Sequence, residues 1–210
     1  MLNRRFFIGG CASIAGLAAL PAQAHKKAYV IPPEHMPKIV KLPVELPVGE
    51  IYVEPDEFAL YWTLPKKKAI RYVVGVGRGN LYHTGVYTVG EKREWPNWTP
   101  TKEMIKRNPD YERFSEGVPG GPTNPLGAMA LYLFNAKGRD SLLRIHGTPQ
   151  PWTIGQAVSN GCARLVNAHA KHLYNQVPLG TRIVLHEKGR MKDGVLPDLS
   201  SAIPDYSVHG

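Results

Sequence analysis

Residues 50–63 read Glu50-Ile51-Tyr52-Val53-Glu54-Pro55-Asp56-Glu57-Phe58-Ala59-Leu60-Tyr61-Trp62-Thr63, two short apolar runs on either side of an acidic turn that carries a proline. β-Branched and aromatic side chains favour extended backbone, and Pro-Asp interrupts it, so this stretch predicts a hairpin. Outward from it the pattern recurs. Lys66-Lys67-Lys68 is a solvated turn, and residues 69–76, 85–90, 127–134, 142–145 and 182–185 are further strand-like runs. The clearest helix starts after Asn167, a good N-cap, and covers residues 168–176 before Pro178 and Gly180 end it; a second, short helix fits 101–107. Strands come first and a helix late, without βα alternation. That order predicts a mainly β, sandwich-like domain with one or two short helices.

Composition agrees with one folded unit plus appendages. Two full domains would be cramped in 210 residues, and 43% hydrophobic content is enough for a core while 20% charged content is too low for a disordered chain. With 21 glycines and 19 prolines, turns and short strands are favoured over a helical bundle. Two distant cysteines, Cys11 and Cys162, make no disulfide framework, and without a Cys-x-x-Cys pair there is no structural zinc motif.

Residues 1–24 carry Arg4-Arg5, an uncharged Gly/Ala-rich run and Ala22-Gln23-Ala24, the order of an export signal cut after Ala24. Asn3-Arg4-Arg5-Phe6-Phe7-Ile8 resembles a twin-arginine signal. The run is broken by glycines and Pro21 and is marginal for a membrane span, so no stable anchor is expected. Too few apolar residues precede Cys11 for a lipoprotein site. Cleavage lowers the formal charge from +9 to +7 and leaves Cys162 as the one cysteine. Residues 25–49, with five prolines, read as an extended arm or linker; 50–187 as the folded domain; and 188–210 as a loosely packed tail. Within the domain, 91–125 is a long irregular stretch rich in Trp, Pro and charge. In a compact domain such a stretch is functional or a lid.

The chemistry centres on Arg144-Ile145-His146-Gly147-Thr148 and Ser159-Asn160-Gly161-Cys162-Ala163-Arg164-Leu165. An imidazole that takes a thiol's proton makes it a nucleophile, and backbone amides at Gly161 and Cys162 could face a developing oxyanion. From composition alone the plainer reading, a buried cysteine and a surface histidine, stands ahead. Other features carry less. Gly75-Val76-Gly77-Arg78-Gly79 is followed by a strand rather than a helix, which argues against a nucleotide loop. Cys162 with His169 and His172 lacks a fourth metal ligand, and a solvated helix face is the simpler account. The basic, aromatic stretch 66–72 is a solvated turn, and an exported protein rarely meets nucleic acid.

Residues 146–165 resemble the signature of the L,D-transpeptidase catalytic domain (YkuD) family, His-Gly-Thr followed by Ser-x-Gly-Cys-x-Arg. Further stretches resemble it in order: Gly75-Val76-Gly77-Arg78, Glu94-Trp95-Pro96-Asn97-Trp98-Thr99-Pro100, Gly120-Gly121-Pro122-Thr123-Asn124-Pro125-Leu126-Gly127-Ala128 and Pro151-Trp152-Thr153-Ile154-Gly155, so that it covers about 49–187. The resemblance implies Cys162 as nucleophile and His146 as base, its tautomer fixed by a backbone carbonyl at Gly147. Thr148 and Ser159 would shape the site, and Arg164 would hold the loop or a substrate carboxylate. Asn160 stands where many members have His, and an amide cannot titrate. Trp95, Trp98 and Trp152 are expected to cover the site or touch substrate.

The implied reaction needs no cofactor and no metal. The thiolate attacks a peptidoglycan stem tetrapeptide at its third residue, D-alanine leaves, and an amine resolves the thioester. That amine is another stem peptide's side chain, giving a 3→3 cross-link, or a lysine of an envelope protein. Two alternatives stay open: an L,D-carboxypeptidase or wall-protein hydrolase with the same Cys/His site, and a noncatalytic binder using the +7 charge on an anionic wall. The periplasmic protein is expected to begin at His25, read by N-terminal sequencing. Arg4-Arg5→Lys-Lys should block export, because ammonium groups do not copy guanidinium geometry; unchanged export would assign the general pathway instead.

Overall fold

The computed structural model describes residues 29–189; the expected signal and residues 190–210 of the tail lie outside them. Eleven strands form among these residues, in chain order β1 Lys38–Lys41, β2 Ile51–Glu54, β3 Ala59–Leu64, β4 Lys68–Val73, β5 Val76–Gly77, β6 Gly85–Glu94, β7 Met129–Phe134, β8 Asp140–His146, β9 Ala157–Ser159, β10 Ala163–Arg164 and β11 Arg182–Leu185. Two helices accompany them, α1 Lys102–Arg107 and α2 Asn167–Gln176. Nine strands make one sheet in the order β1-β4-β3-β2-β11-β6-β7-β8-β10, and β5 with β9 makes a second, two-stranded one. The architecture is mainly β with few helices, as its sequence pattern predicts.

The hairpin at 50–63 is β2 and β3, antiparallel with Ile51 opposite Trp62 and Val53 opposite Leu60. The period-2 rule sorts its side chains cleanly. Ile51, Val53, Leu60 and Trp62 join a core shared with Leu131, Ile145, Leu165 and, from α2, Ala170 and Leu173. Tyr52, Ala59 and Tyr61 point the other way into a second cluster. The sheet therefore buries one face around α2, both of its halves contributing to that core.

The second cluster takes in part of the stretch read as an arm or linker, within the described residues 29–49. Leu42 and Leu46 are buried there against Tyr52 and Tyr61, and β1 pairs antiparallel with β4, so the arm covers the sheet's outer face. Its prolines hid the signal because they break any period. Two further differences are local. The first four residues of the irregular stretch 91–125 extend β6. Asn167 is the first residue of α2 and not its cap; Val166 is the N-cap and makes no side-chain cap bond. The Asn167 Oδ1 instead accepts from the Ala128 N–H at 3.0 Å, tying the helix to the strand entrance beside Gly147. The start of the tail is also held, with Lys188 Nζ donating to the Gly77 and Gly79 carbonyls at 2.9 and 3.0 Å.

A docked arm predicts a stability cost that a linker does not. Leu46→Ala should destabilise the protein by about 2–5 kcal/mol, the usual range for a buried leucine, read by urea unfolding. An unchanged midpoint would return the arm to a linker.

Candidate active site

His146 ends β8 and Cys162 immediately precedes β10, and the two strands run parallel with Ala163 opposite Ile145 and Arg164 opposite His146. Leu143, Ile145, Ala163 and Leu165 all point into the main core. Alternation then puts Arg144 and His146 of one strand and Cys162 and Arg164 of the other on the opposite face, with Cys162 and His146 as diagonal neighbours. The connection between them, residues 147–162, is the long crossover that a parallel pair requires.

His146 is buried, and its Nδ1 lies 2.5 Å from the Gly147 carbonyl oxygen. A carbonyl only accepts, so Nδ1 carries the proton and Nε2 keeps its lone pair. A Cβ at Gly147 would fall 2.2 Å from the Asn167 Oδ1, so a larger residue there would displace Asn167 from the Ala128 amide. Burial pushes the imidazole's pKa down to about 4; the Gly147 and Leu126 carbonyls oppose the shift, while the Arg164 and Arg144 charges add to it. Burial also pushes the half-buried Cys162 thiol up, opposed by the Arg144 N–H and by the same two guanidinium groups. At neutral pH the two groups therefore rest as thiol and neutral imidazole.

The turn before the thiol is built by Ser159. Its Oγ donates to the Cys162 carbonyl at 2.6 Å and accepts the Gly161 N–H at 3.2 Å. The Gly161 amide, expected to face a developing oxyanion, is thus engaged by Ser159 in this structure. Gly161 has φ +131°, and a Cβ would meet the Leu81 carbonyl at 3.0 Å and the His83 ring at 3.2 Å, so only glycine fits this approach. Thr148 is buried, its Oγ1 accepting the Gln150 N–H. Arg164 donates from Nη2 to Thr153 Oγ1 at 3.0 Å. Arg144 is held by Asp140 through two 2.7 Å contacts and lies over the Tyr132 ring.

Asn160 bridges two segments. Its Nδ2 donates to the Tyr111 hydroxyl at 3.3 Å, and its Oδ1 accepts from Arg78 Nη2 at 3.4 Å. Tyr111 comes from the irregular stretch, on a 3-10 turn at Pro109–Phe114. Trp98 packs edge-on against Tyr111 and Phe114 and pairs its backbone with Val118, so it reaches the site through Tyr111. Trp95 sits at the root of this loop, exposed and with a left-handed φ of 44°, its contacts running to Ala128 and Gly120. Trp152 is exposed beside Thr153, the partner of Arg164. Sequence reasoning missed Tyr111, and nothing local to it could have given the contact. His172 Nδ1 is bonded to the Tyr72 hydroxyl at 2.8 Å, and among the described residues no three His, Cys, Asp or Glu side chains are placed to hold a metal.

Known proteins match this chain over much of its length. The probable L,D-transpeptidase ErfK/SrfK of Escherichia coli is 39% identical over 140 residues, 63% of this chain and 42% of its own length. The probable L,D-transpeptidase YbiS of the same organism is 36% identical over 157 residues, 71% of this chain and 48% of its own. The chain thus spans less than half the length of these relatives. A solved structure from Brucella melitensis, titled a probable carnitine operon oxidoreductase, is 46% identical, covers 72% of this chain and 93% of its own, and superposes with a TM-score of 0.51. The family profile described as the L,D-transpeptidase catalytic domain, YkuD, matches residues 49–185. With that profile covering well over half of its length, the chain belongs to the YkuD L,D-transpeptidase catalytic domain family.

Proposed function

We propose that this protein is an exported, periplasmic peptidoglycan L,D-transpeptidase that uses Cys162 as nucleophile and His146 as its base. The observation that carries the reading is the contact between His146 Nδ1 and the Gly147 carbonyl. It leaves Nε2 unprotonated on the face that also bears the thiol. Family membership and the names of the E. coli relatives support the reaction class. Among the described residues no helix is long and apolar enough to cross a membrane. The oxidoreductase title of the Brucella melitensis protein finds no counterpart in the glycine run here. Gly75–Gly79 enters a short strand and a 3-10 turn, without the helix N-terminus that cradles a dinucleotide.

The steps follow from the resting state. As Sγ attacks the carbonyl of the third stem residue, Nε2 takes the thiol proton, so charge separates only as the bond forms. The Cys162 amide stabilises the resulting oxyanion. Collapse breaks the peptide bond, Nε2–H gives its proton to the departing D-alanine amine, and a thioester remains on Cys162. A second amine then attacks, yields its proton to Nε2, and expels the sulfur, which recovers that proton. The acceptor is the diamino acid of another stem or a lysine of an envelope protein. The loop carrying Trp98 and Tyr111 restricts water at the thioester, favouring amine over hydrolysis.

Incubation of the mature protein with purified stem tetrapeptide should give a cross-linked dimer and free D-alanine by mass spectrometry; tripeptide alone would make it a carboxypeptidase. A carbapenem should acylate Cys162 one-to-one, and Cys162→Ala or Cys162→Ser should abolish the adduct. His146→Ala should slow acylation by roughly 10²–10⁴-fold, the usual loss of a general base. Acylation indifferent to His146 would sink the pair.

A further inference from the structure

One corner of the nine-stranded sheet carries a cluster of cations that the candidate active site does not use. Lys41 of β1 stands directly opposite Lys68 of β4. Lys66 and Lys67 occupy the turn that leads into β4, and the Leu42 N–H donates to the Lys67 carbonyl at 2.7 Å, holding the end of β1 against that turn. All four lysines are exposed, and none of the ion pairs among the described residues includes them. Two features of the cluster work against the fold. Like charges directly opposite each other in an antiparallel pair repel. Lys66 and Lys67 both hold left-handed backbone, φ 61° and 53°, which glycine and asparagine adopt at lower cost than lysine. β1 is the outermost strand, and lysines on an edge guard it against pairing with another chain, which accounts for Lys41. It does not account for Lys66 and Lys67, in a turn off that edge. Strained backbone kept at a cost marks side chains that serve something outside the fold.

Four unpaired cations call for an anionic partner, and the adjoining surface narrows its kind. Ile39 lies two residues from Lys41 on the same side of β1 and is 65% exposed. Val48, 60% exposed, lies beside the end of β3, where the Thr63 hydroxyl donates to the Pro47 carbonyl at 2.7 Å and the Gly49 N–H donates to the Thr63 carbonyl at 3.1 Å. The next residue, Leu64, pairs with Lys68. Two branched apolar side chains therefore adjoin the lysines. A hydrated polyanion gains nothing from them, whereas a bilayer takes cations at its headgroups and apolar side chains just beneath.

We infer that this corner, Lys41, Lys66, Lys67 and Lys68 with Ile39 and Val48, docks the protein on a bilayer that carries anionic lipid. The contact is peripheral and reversed by salt, unlike an anchor. β4 runs from Lys68 to Val73, and Gly75 beyond it bridges to Arg164 beside Cys162, roughly 20 Å from the basic end at ~3.3 Å per residue. Docking therefore leaves Cys162 at the far end of the strand. The inference does not depend on the reaction proposed for Cys162; with that reaction, the docked enzyme keeps its thiol clear of the bilayer and open to the wall.

The test is cosedimentation of the mature protein with phosphatidylcholine vesicles, alone or with about one-third phosphatidylglycerol. The anionic vesicles should bind it and the neutral ones should not, and about 1 M salt, where the Debye length falls to ~3 Å, should release it. Lys66→Gln with Lys67→Gln should weaken binding about 10- to 30-fold, near fivefold for each lysine, and the charge-matched Lys102→Gln with Lys106→Gln on α1 less than about twofold. Ile39→Ser should weaken it at unchanged charge. Lys66→Asn with Lys67→Gly should weaken it as the glutamine pair does while raising the urea midpoint, because asparagine and glycine relieve the turn. No binding to anionic vesicles, or equal binding to neutral ones, would overturn the inference. Equal losses from the two lysine pairs would overturn it in favour of net charge alone. Soluble polyphosphate bound as tightly as the vesicles, with Ile39→Ser without effect, would overturn it in favour of a soluble polyanion. A lowered urea midpoint in the Asn-Gly variant would assign the lysines to the turn itself and overturn it as well.

Discussion

The short parallel pairing of β8 with β10 is the constraint on which the rest depends. Two register pairs and the bond from the Leu165 N–H to the His146 carbonyl, at 2.8 Å, set the imidazole, the thiol and both arginines on one face. The opposite face of the same residues is core, so a one-residue slip would turn His146 and Cys162 into that core and Ile145 and Ala163 out of it. Hydrophobic burial on one side thereby fixes the placing of Cys162 and His146 on the other. The remainder of the fold guards that register: α2 packs behind it, Asn167 ties the helix to the Ala128 amide, and Gly75 bridges to Arg164 on the outer side of β10.

The electrostatics follow from the same burial. Low dielectric penalises charge on both partners, which is why the imidazole is driven acidic and the thiol driven up. Burial therefore favours the un-ionised thiol and the neutral ring in the free protein. Ser159 takes the Gly161 amide for the turn before Cys162; in the proposed reaction that leaves the Cys162 amide as the oxyanion donor.

How much of this could be read in the chain depended on the range of the interaction. The β2–β3 hairpin was legible because Ile51, Tyr52 and Val53 alternate between two buried faces and the Pro55 turn marks the reversal. His146 and Cys162 were legible as a pair because their flanking residues form a recognisable signature. Leu42 and Leu46 were not, since nothing local to them indicates an outer sheet face needing cover. Asn167 followed a tertiary partner over a local rule: its amide had a choice between capping α2 and satisfying Ala128, and only the fold decides that. Tyr111 lies 49 residues from Asn160, and a contact of that span leaves no mark in spacing or period. The same holds for the two tryptophans of the loop, where Trp98 and not Trp95 is joined to the site.

The central claim is that His146 rests as a neutral imidazole with its proton on Nδ1, held by the Gly147 carbonyl beside an un-ionised thiol. Nitrogen-15 NMR of the labelled histidines, with His146→Gln identifying the resonance, reads both tautomer and titration in the free protein. The account predicts an Nδ1–H tautomer throughout the neutral range and a protonation midpoint near 4. A ring carrying both protons at pH 7 would mean a preformed thiolate–imidazolium pair, and a midpoint at the ordinary histidine value would mean that burial does not hold the ring neutral; either would contradict it.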